Sequence, residues 1–229
     1  MDALSEPGTG DDPEWGPFQR PLFADPSVRH LSRVGVVDVG SNSVRLVVFD
    51  GAARSPAYFY NEKIMCALGA GLSETGRLNP EGRKRALAAL HRFQLLAQGM
   101  DAGPLTAVAT AAVRDAEDGQ AFVDEVERET GLKINIIPGT EEARLSAQGV
   151  MLGWPGSYGL VCDIGGSSME LAEIKGGQVG RRMTSPLGPL KLREVPGGRK
   201  GRRTYIKAEV EKMAETLGSQ RDRLFLVGG

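Results

Sequence analysis

The chain has 229 residues, of which 41% are hydrophobic and 25% charged, and its formal net charge is −1. This composition supplies enough apolar material for a sizeable core, so it excludes a wholly disordered chain or a linker. No apolar run approaches the roughly 18 residues that a membrane span requires. Two cysteines and two histidines exclude a disulfide framework and a multi-histidine metal cage. The N-terminus lacks the basic and apolar regions of a signal peptide, which predicts a soluble cytoplasmic protein with no membrane partner.

The small net charge is an average over unlike parts of the chain. Residues 154–229 contain 13 Lys and Arg against 8 Asp and Glu, whereas residues 1–153 contain 15 against 21. Residues 1–32 are acidic, rich in Pro and Gly and without apolar periodicity, which predicts a disordered leader. The basic run at 198–203 is typical of a solvated face, or it could guide a polyanion. Specific nucleic acid binding is disfavoured because aromatic residues for base stacking are sparse there.

In chain order, β-branched apolar runs predict strands at 34–40, 44–50 and 57–65. A helix is predicted from Asn79 to Gln98, since Asn79 suits an N-cap and the following proline suits the first helical position. The other predicted elements are a turn at 54–56, strands at 105–110, 133–138, 158–166, 169–175, 178–184 and 223–229, and helices near 118–130, 140–151 and 206–217. Strands that alternate with helices predict an α/β architecture.

One motif occurs twice in the sequence, 125 residues apart. DVGSNSVRL (38–46) and DIGGSSMEL (163–171) both follow an apolar run and both read Asp–apolar–Gly–x–x–Ser–apolar–charged–Leu. The spacing is too long for a solenoid repeat and predicts two related domains that each open with a strand–turn–strand hairpin. The predicted division is 33–153 for the first domain and 154–229 for the second.

The residues of each repeated turn suit anion binding. Glycine lets the backbone approach a ligand, and consecutive turn amides form a concavity for an anion. Asp38, at the end of the first strand, is an oxygen ligand suited to Mg²⁺. Asp, Gly and Ser also dominate ordinary hairpin turns, and that alternative is weakened by the presence of two matched copies. Because the sequence has no Gly-x-x-x-x-Gly-Lys-Ser/Thr motif, it does not contain a P-loop.

Paired hairpins of this kind resemble the phosphate-binding signatures of the actin, hexokinase and acetate kinase superfamily. More narrowly, the chain resembles the exopolyphosphatase/guanosine pentaphosphate phosphohydrolase family. The matching segments are VVDVGSNSVRLVVFD (36–50), GLSETGRLNPEGRKRAL (71–87), 107–150 with its GTEEARL motif, and LVCDIGGSSMELAEI (160–174). The resemblance implies two ribonuclease H-like domains with a cleft between them, the second apparently truncated after Gly229. It also implies a homodimer in a full-length form.

The resemblance places a catalytic glutamate, which activates the attacking water, on Glu142. The phosphate-binding residues that it implies are Gly40, Ser41, Asn42, Ser43, Arg45, Arg114, Gly165, Gly166, Ser167 and Ser168. The implied ligands of Mg²⁺ or another divalent cation are Asp38, Asp163 and Glu170. Ser167 replaces a glycine that the family usually has, and Met169 replaces a threonine. The Cβ of Ser167 is therefore expected to crowd the second phosphate site, whereas Met169 is expected to point into its domain.

The residues alone leave alternatives open. Glu142 could be an acid that favours the first turn of a helix capped by Thr140, and Arg114 could be a structural ion-pair residue. The predicted function is Mg²⁺-dependent hydrolysis of terminal phosphoanhydride bonds of inorganic polyphosphate, which releases orthophosphate. The alternatives are hydrolysis of guanosine pentaphosphate (pppGpp), an ATP-dependent kinase or actin-like nucleotide-binding module, and a non-catalytic polyphosphate binder.

Overall fold

Two β-sheets form the framework of the protein. The computed structural model describes residues 33–50, 57–103, 105–218 and 222–228, so the predicted leader at 1–32 and the turn at 54–56 lie outside the described residues. The first sheet has the order β3-β2-β1-β4-β5 and the second has the order β8-β7-β6-β9. The strands are β1 (Arg33–Val39), β2 (Ser43–Asp50), β3 (Ala57–Met65), β4 (Thr106–Ala109), β5 (Ile134–Ile136), β6 (Gly159–Ile164), β7 (Met169–Lys175), β8 (Gln178–Ser185) and β9 (Leu224–Gly228).

Helices connect and cover these sheets, which confirms the predicted mixed α/β architecture. They are α1 (Leu72–Thr75), α2 (Pro80–Gly99), α3 (Ala111–Asp115), α4 (Gly119–Thr130), α5 (Gly139–Gly153), α6 (Pro189–Glu194) and α7 (Gly198–Leu217). The short helices α1, α3 and α6 were not predicted, because four to six residues are too few to show a helical period. In the described part of the chain, no helix has a segment both long and apolar enough to cross a bilayer.

The core of the first sheet follows from the alternation of its strands. In β1 and β2, every second side chain is buried, including Val37 and Leu46, as a half-buried strand requires. Helices α2 and α4 cover this sheet through Phe93 and Phe122, which are fully buried. Strands β1, β2 and β3 pair antiparallel, whereas β1, β4 and β5 pair parallel. The parallel strands end on the same side, where the β1–β2 turn also lies.

Helix α5 packs against the second sheet rather than the first. Its Ala143 and Ala147 share an apolar cluster with Val161 of β6 and with Ala172 and Ile174 of β7. The predicted boundary at residue 153 assigns α5 to the first domain. It therefore separates α5 from the second sheet, against which the helix packs. The division into two domains remains a prediction, and α5 is the element that joins the two sheets.

The start of helix α2 confirms the predicted cap. Asn79 Oδ1 accepts a hydrogen bond from the Gly82 amide at 2.8 Å, and Pro80 occupies the first helical position. We expect Asn79→Ala to lower the free energy of unfolding by about 1 kcal/mol, because it leaves an amide of the first turn without its partner. Denaturant unfolding checks this, with Gln98→Ala at the exposed end of the same helix as the control. Equal losses in the two variants would contradict the capping role.

Candidate functional site

The two repeated turns have the same backbone geometry. In the first turn, the Gly40 amide donates to the Ser43 carbonyl at 3.0 Å; in the second, the Gly165 amide donates to the Ser168 carbonyl at 3.0 Å. The flanking strands pair in matching register, with Asp38 opposite Arg45 and Asp163 opposite Glu170. The predicted strand–turn–strand hairpins are therefore confirmed, and each places an aspartate at the end of its first strand.

The two turns face and touch one another. The hydroxyls of Ser41 and Ser167 form a hydrogen bond of 2.8 Å, and each residue is only 4% exposed. A Cβ on Gly166 would lie 3.1 Å from the Cβ of Ser41, so the glycine allows this close approach. The fold thus brings together the two predicted sets of phosphate-binding residues, although the Ser41 and Ser167 hydroxyls already bind each other.

Helix α5 positions Glu142 near the two turns. Glu142 lies in its first turn, with a side chain only 16% exposed and its Oε2 3.5 Å from Nη1 of Arg114. Arg114 also donates to the Ile137 carbonyl at 3.2 Å. The start of α5 can approach β8 because Gly139 has no side chain: a Cβ there would lie 2.6 Å from that of Thr184. Close packing between α5 and β8 therefore fixes the position of Glu142.

The predicted cap of α5 is wrong. The helix begins at Gly139 after Pro138, so Thr140 lies inside it and makes no capping hydrogen bond. The two glutamates of the first turn also differ. Glu141 is buried and pairs with Arg144 at 2.6 Å, whereas Glu142 faces Arg114 and other carboxylates. A common role in favouring the helix dipole therefore does not describe both residues.

Glu142 has the most strongly perturbed carboxyl group of the site. Burial, the largest cause, and the negative charges of Glu170, Asp163 and Asp38 together raise its pKa from 4.5 to about 8, while Arg114 opposes the shift. The helix N-terminus would favour the ionised form, so burial and like charge outweigh it. A carboxyl group with a pKa near neutrality in a cleft suits general acid–base chemistry.

Two further carboxylates have raised pKa values. Burial raises the pKa of Glu170 despite hydrogen bonds from Ser168 and Thr184, which lower it. Desolvation by nearby protein atoms raises the pKa of Asp38, and the negative charge of Asp163 raises it further. The residue nevertheless remains exposed to solvent. Four carboxylates therefore repel one another around a shared volume, and this repulsion favours a cation among them.

Two hydroxyl contacts that the sequence did not reveal support these carboxylates. Thr184 Oγ1 on β8 donates to Glu170 Oε1 at 2.8 Å. Ser146 Oγ on α5 donates to Asp163 Oδ2. The four-residue spacing between Glu142 and Ser146 puts both on one face of α5. This spacing is the feature of the sequence that could have identified Ser146 as a residue of the site. The Ser146 contact depends on the packing of α5 against the second sheet, whereas Thr184 and Glu170 lie opposite one another in the antiparallel β7–β8 pair.

The donor set fits a divalent cation that is shared with phosphate. Glu170 is 1% exposed, and its Oε2 has no hydrogen-bond partner in the described part of the chain. Within residues 33–50, 57–103, 105–218 and 222–228, no three His, Cys, Asp or Glu side chains are grouped closely enough to hold a metal ion. Asp38, Asp163 and Glu170 thus do not form a closed protein cage. Mg²⁺ ordinarily takes one or two carboxylates and completes its shell with phosphate oxygens and water, which this arrangement can accommodate.

The predicted basic residues are only partly available to a ligand. Arg45 Nε donates to Asn61 Oδ1 at 2.9 Å beside the first turn. Arg181 donates to the carbonyls of Thr216 and Leu217, both at 3.0 Å, so it caps the end of α7. Lys191 on α6 forms an ion pair with Asp115 at 3.6 Å, next to Arg114. The run at 198–203 forms the beginning of α7, which starts at Gly198 rather than near residue 206.

Fold and site define a protein of two β-sheets whose paired glycine- and serine-rich turns meet beside a half-buried glutamate. The family model described as the Ppx/GppA phosphatase family matches residues 47–220. The chain belongs to this family. Exopolyphosphatase 1 of Mycobacterium tuberculosis (strain H37Rv) is 32% identical over 163 residues, which cover 70% of this chain and 47% of that protein. The chain thus spans about half the length of the curated relatives it matches.

Solved structures agree with this assignment. A Ppx/GppA family member from Aquifex aeolicus is 28% identical with a TM-score of 0.70, and the match covers 86% of this chain and 66% of that one. An exopolyphosphatase from Cytophaga hutchinsonii is 26% identical with a TM-score of 0.76 and covers 86% of this chain and 67% of that one. The likeness extends across both sheets, since it includes most of the chain.

Proposed function

We propose that this chain hydrolyses the terminal phosphoanhydride bond of inorganic polyphosphate and releases orthophosphate. The observation that supports this most directly is Glu142, whose carboxyl group has a pKa of about 8 and lies beside Arg114 and the two touching turns. Phosphoryl transfer to water requires charge neutralisation, positioning and a carboxylate that orients and deprotonates the water. The names of the curated relatives agree with this substrate class.

In the proposed reaction, Glu142 accepts a proton from a water whose oxygen attacks the terminal phosphorus. The bridging P–O bond breaks, and its electron pair stays on the oxygen of the shortened chain. The turn amides at 40–43 and 165–168 donate hydrogen bonds to phosphate oxygens. Arg114 neutralises charge that develops on the transferred group. A base with a pKa near the working pH is efficient for this step, and the raised pKa of Glu142 meets that condition.

We assign the divalent cation to one or two of the carboxylates of Asp38, Asp163 and Glu170, together with phosphate oxygens. Bound there, the cation supplies neutralisation of negative charge on the phosphate chain. The carboxylates hold their positions through the chain's own contacts, since Ser146 binds Asp163 and Thr184 binds Glu170. A cytoplasmic location and homodimerisation also remain proposals.

Phosphate release by the purified chain from polyphosphate, pppGpp and ATP in Mg²⁺ tests the proposed substrate. We expect polyphosphate to turn over fastest, because a polyanion needs only charge and turn amides for binding. Faster turnover of pppGpp would support the second candidate, which shares the mechanism. ATP binding without polyphosphate turnover would indicate a nucleotide-binding module, and polyphosphate binding without turnover of any substrate would indicate a non-catalytic binder.

The beginning of α7 is expected to bind the distal part of a long chain. Its first turn has no acidic residue, and it carries Arg199, Lys200, Arg202 and Arg203. We expect replacement of all four by glutamine to raise the KM for long polyphosphate by about 10-fold at low salt and to flatten its salt dependence. Tripolyphosphate should be affected by less than about 2-fold, because it is too short to reach a second set of charges.

The matched control for this prediction is the double variant Lys207→Gln/Lys212→Gln. These lysines lie on the same helix but pair with Glu211 and Glu209, at 3.8 Å and 2.6 Å. Their removal should leave the KM for long polyphosphate within about 2-fold of the wild type, since their charges are already compensated. If the double variant gave about half the logarithmic effect of the quadruple variant, in proportion to the charges removed, net charge alone would matter, not the beginning of α7.

A further inference from the structure

The contact between Ser41 and Ser167 joins two turns whose backbone hydrogen bonds are made to different parts of the chain. The first turn is held by the segment after β3: the Ser41 carbonyl accepts from the Gly69 amide at 2.8 Å, and the Asn42 carbonyl accepts from the Cys66 amide at 2.9 Å and the Ala67 amide at 2.8 Å. All of these partners belong to the first sheet or its loops. The first turn therefore follows the position of the first sheet.

The second turn is anchored by the segment that leads into α6. The Gly166 carbonyl accepts from the Leu190 amide at 2.9 Å. A Cβ on Gly188 would lie 2.2 Å from the carbonyl carbon of Ser167, so this segment lies directly against the turn. These contacts all involve residues that follow β6. The second turn therefore follows the position of the second sheet.

Between these two anchored turns, the hydroxyls of Ser41 and Ser167 are buried and lie 2.8 Å apart. A buried hydroxyl without a partner is costly, so each serine requires the other. The glycine that the family usually has at position 167 cannot make this bond. We propose that Ser167 is a positioning residue that ties the second turn to the first through Ser41, and so holds both at the spacing in which one phosphate group can contact both.

This role is the opposite of the one expected for Ser167, which stands where the family usually has glycine. From the sequence, the Cβ of Ser167 was expected to crowd the phosphate site. In the structure, the side chain points to the opposite turn, where its hydroxyl is used. The inference concerns the arrangement of the turns and does not require that the chain hydrolyse polyphosphate.

Amide hydrogen exchange of the full chain tests the link without any need for activity. The hydrogen-bonded amides of Gly40 and Gly69 report on the first turn, and those of Gly165 and Leu190 report on the second. We expect Ser167→Ala to speed exchange at all four by about 2- to 10-fold, the range for loss of one hydrogen bond. Ser41→Ala should do the same, and the double variant should add little to either single change, because one contact is lost in each case.

The matched control is Ser168→Ala, which removes the adjacent buried hydroxyl of the same turn. That hydroxyl serves Glu170 on the same hairpin, so only Gly165 and Leu190 should exchange faster. If Ser167→Ala leaves Gly40 and Gly69 at their wild-type rates, the proposed link is wrong. This outcome is distinct from absence of phosphate release, which would contradict the proposed function alone.

A second measurement separates the hydroxyl from the Cβ. Binding of inorganic tripolyphosphate with Mg²⁺ is compared by calorimetry in Ser167→Ala, which keeps the Cβ, and in Ser167→Gly, which restores the family's usual residue. We expect the Kd to rise by about 2- to 10-fold in both, since both lack the hydroxyl. In turnover, the same variants should raise KM more than they lower kcat. Tighter binding by Ser167→Gly, with Ser167→Ala unchanged, would show that the Cβ crowds the site and would overturn the proposal.

Discussion

Replacing Glu142 by glutamine is expected to reduce phosphate release from polyphosphate by about 10²–10⁴-fold, the usual contribution of a general base. Glutamine has nearly the same shape but cannot accept the proton of the attacking water. The substitution removes the group whose pKa burial and neighbouring carboxylates raise to about 8. Steady-state release of orthophosphate in Mg²⁺, with saturating polyphosphate, measures the effect on kcat.

The same substitution is expected to stabilise the fold at alkaline pH. The pKa of Glu142 is about 8 in the folded chain and 4.5 ordinarily, so between these pH values the folded chain binds more protons than the unfolded chain. Stability of the wild type therefore falls as the pH rises from 4.5 to 8, by at most about 5 kcal/mol from this group. Glutamine does not ionise and avoids that loss. We expect Glu142→Gln to raise the free energy of unfolding by at least about 1 kcal/mol at pH 8.5 in EDTA, with little difference at pH 5.

Glu141→Gln is the matched control for both effects. Glu141 occupies the same helical turn but forms a buried ion pair with Arg144, so its substitution should lower stability and alter kcat far less. If the two glutamates merely favoured the helix dipole, both variants would lose similar small amounts of stability and keep their activity. A Glu142→Gln protein with near wild-type turnover would contradict the proposed mechanism.

Replacing Arg114 by methionine is expected to lower kcat by about 10²–10³-fold, because it removes a charge that faces the transferred phosphoryl group. It should also change the pH profile. Activity requires ionised Glu142, so kcat/KM should rise with pH around a midpoint near 8. Since Arg114 lowers the pKa of Glu142, its loss should move the midpoint of this rise to higher pH. Rates across pH 6–10 measure both effects.

Two controls accompany this prediction. Arg114→Lys retains the positive charge, so the midpoint should stay near that of the wild type even if kcat falls. Arg128→Met removes an exposed arginine of α4 that pairs with the adjacent Glu129 at 3.5 Å, and it should change neither kcat nor the midpoint. An unchanged midpoint in Arg114→Met would show that Arg114 does not act on the pKa of Glu142, and would favour a structural role through its ion pair with Asp115 at 3.3 Å.

Local patterns were sufficient to predict most of the fold. Strand β7 was predicted at 169–175 and occupies those residues, because its apolar run is bounded by turns on both sides. The start of α7 was missed, since Gly198 and Gly201 disfavour a helix in isolation. In the structure, Gly201 is required there: a Cβ would lie 1.9 Å from the carbonyl oxygen of Pro196. A close contact between the first turn of the helix and the segment just before it therefore requires glycine there, although glycine alone disfavours a helix.

In the candidate site, too, some features follow from the local sequence and others do not. The repeated motif predicted two hairpins in equivalent register, and both are present because the pairs next to each turn, Asp38 with Arg45 and Asp163 with Glu170, join residues only seven positions apart. The partners of the predicted residues were not predictable in this way. The Ser41–Ser167, Ser146–Asp163 and Thr184–Glu170 contacts join residues separated by 126, 17 and 14 positions. The first two contacts form only when the turns meet and α5 packs on the second sheet, whereas Thr184 and Glu170 lie opposite one another in the β7–β8 pair.

Hydrolysis in ¹⁸O-labelled water tests the central claim most directly. The account predicts that water held by Glu142 attacks the terminal phosphorus, so each orthophosphate released by the wild-type chain should carry one ¹⁸O atom from solvent. The remaining polyphosphate should carry none beyond background. The label would enter the remaining chain instead if water attacked the penultimate phosphorus. That result, or no release of orthophosphate at all, would contradict the account.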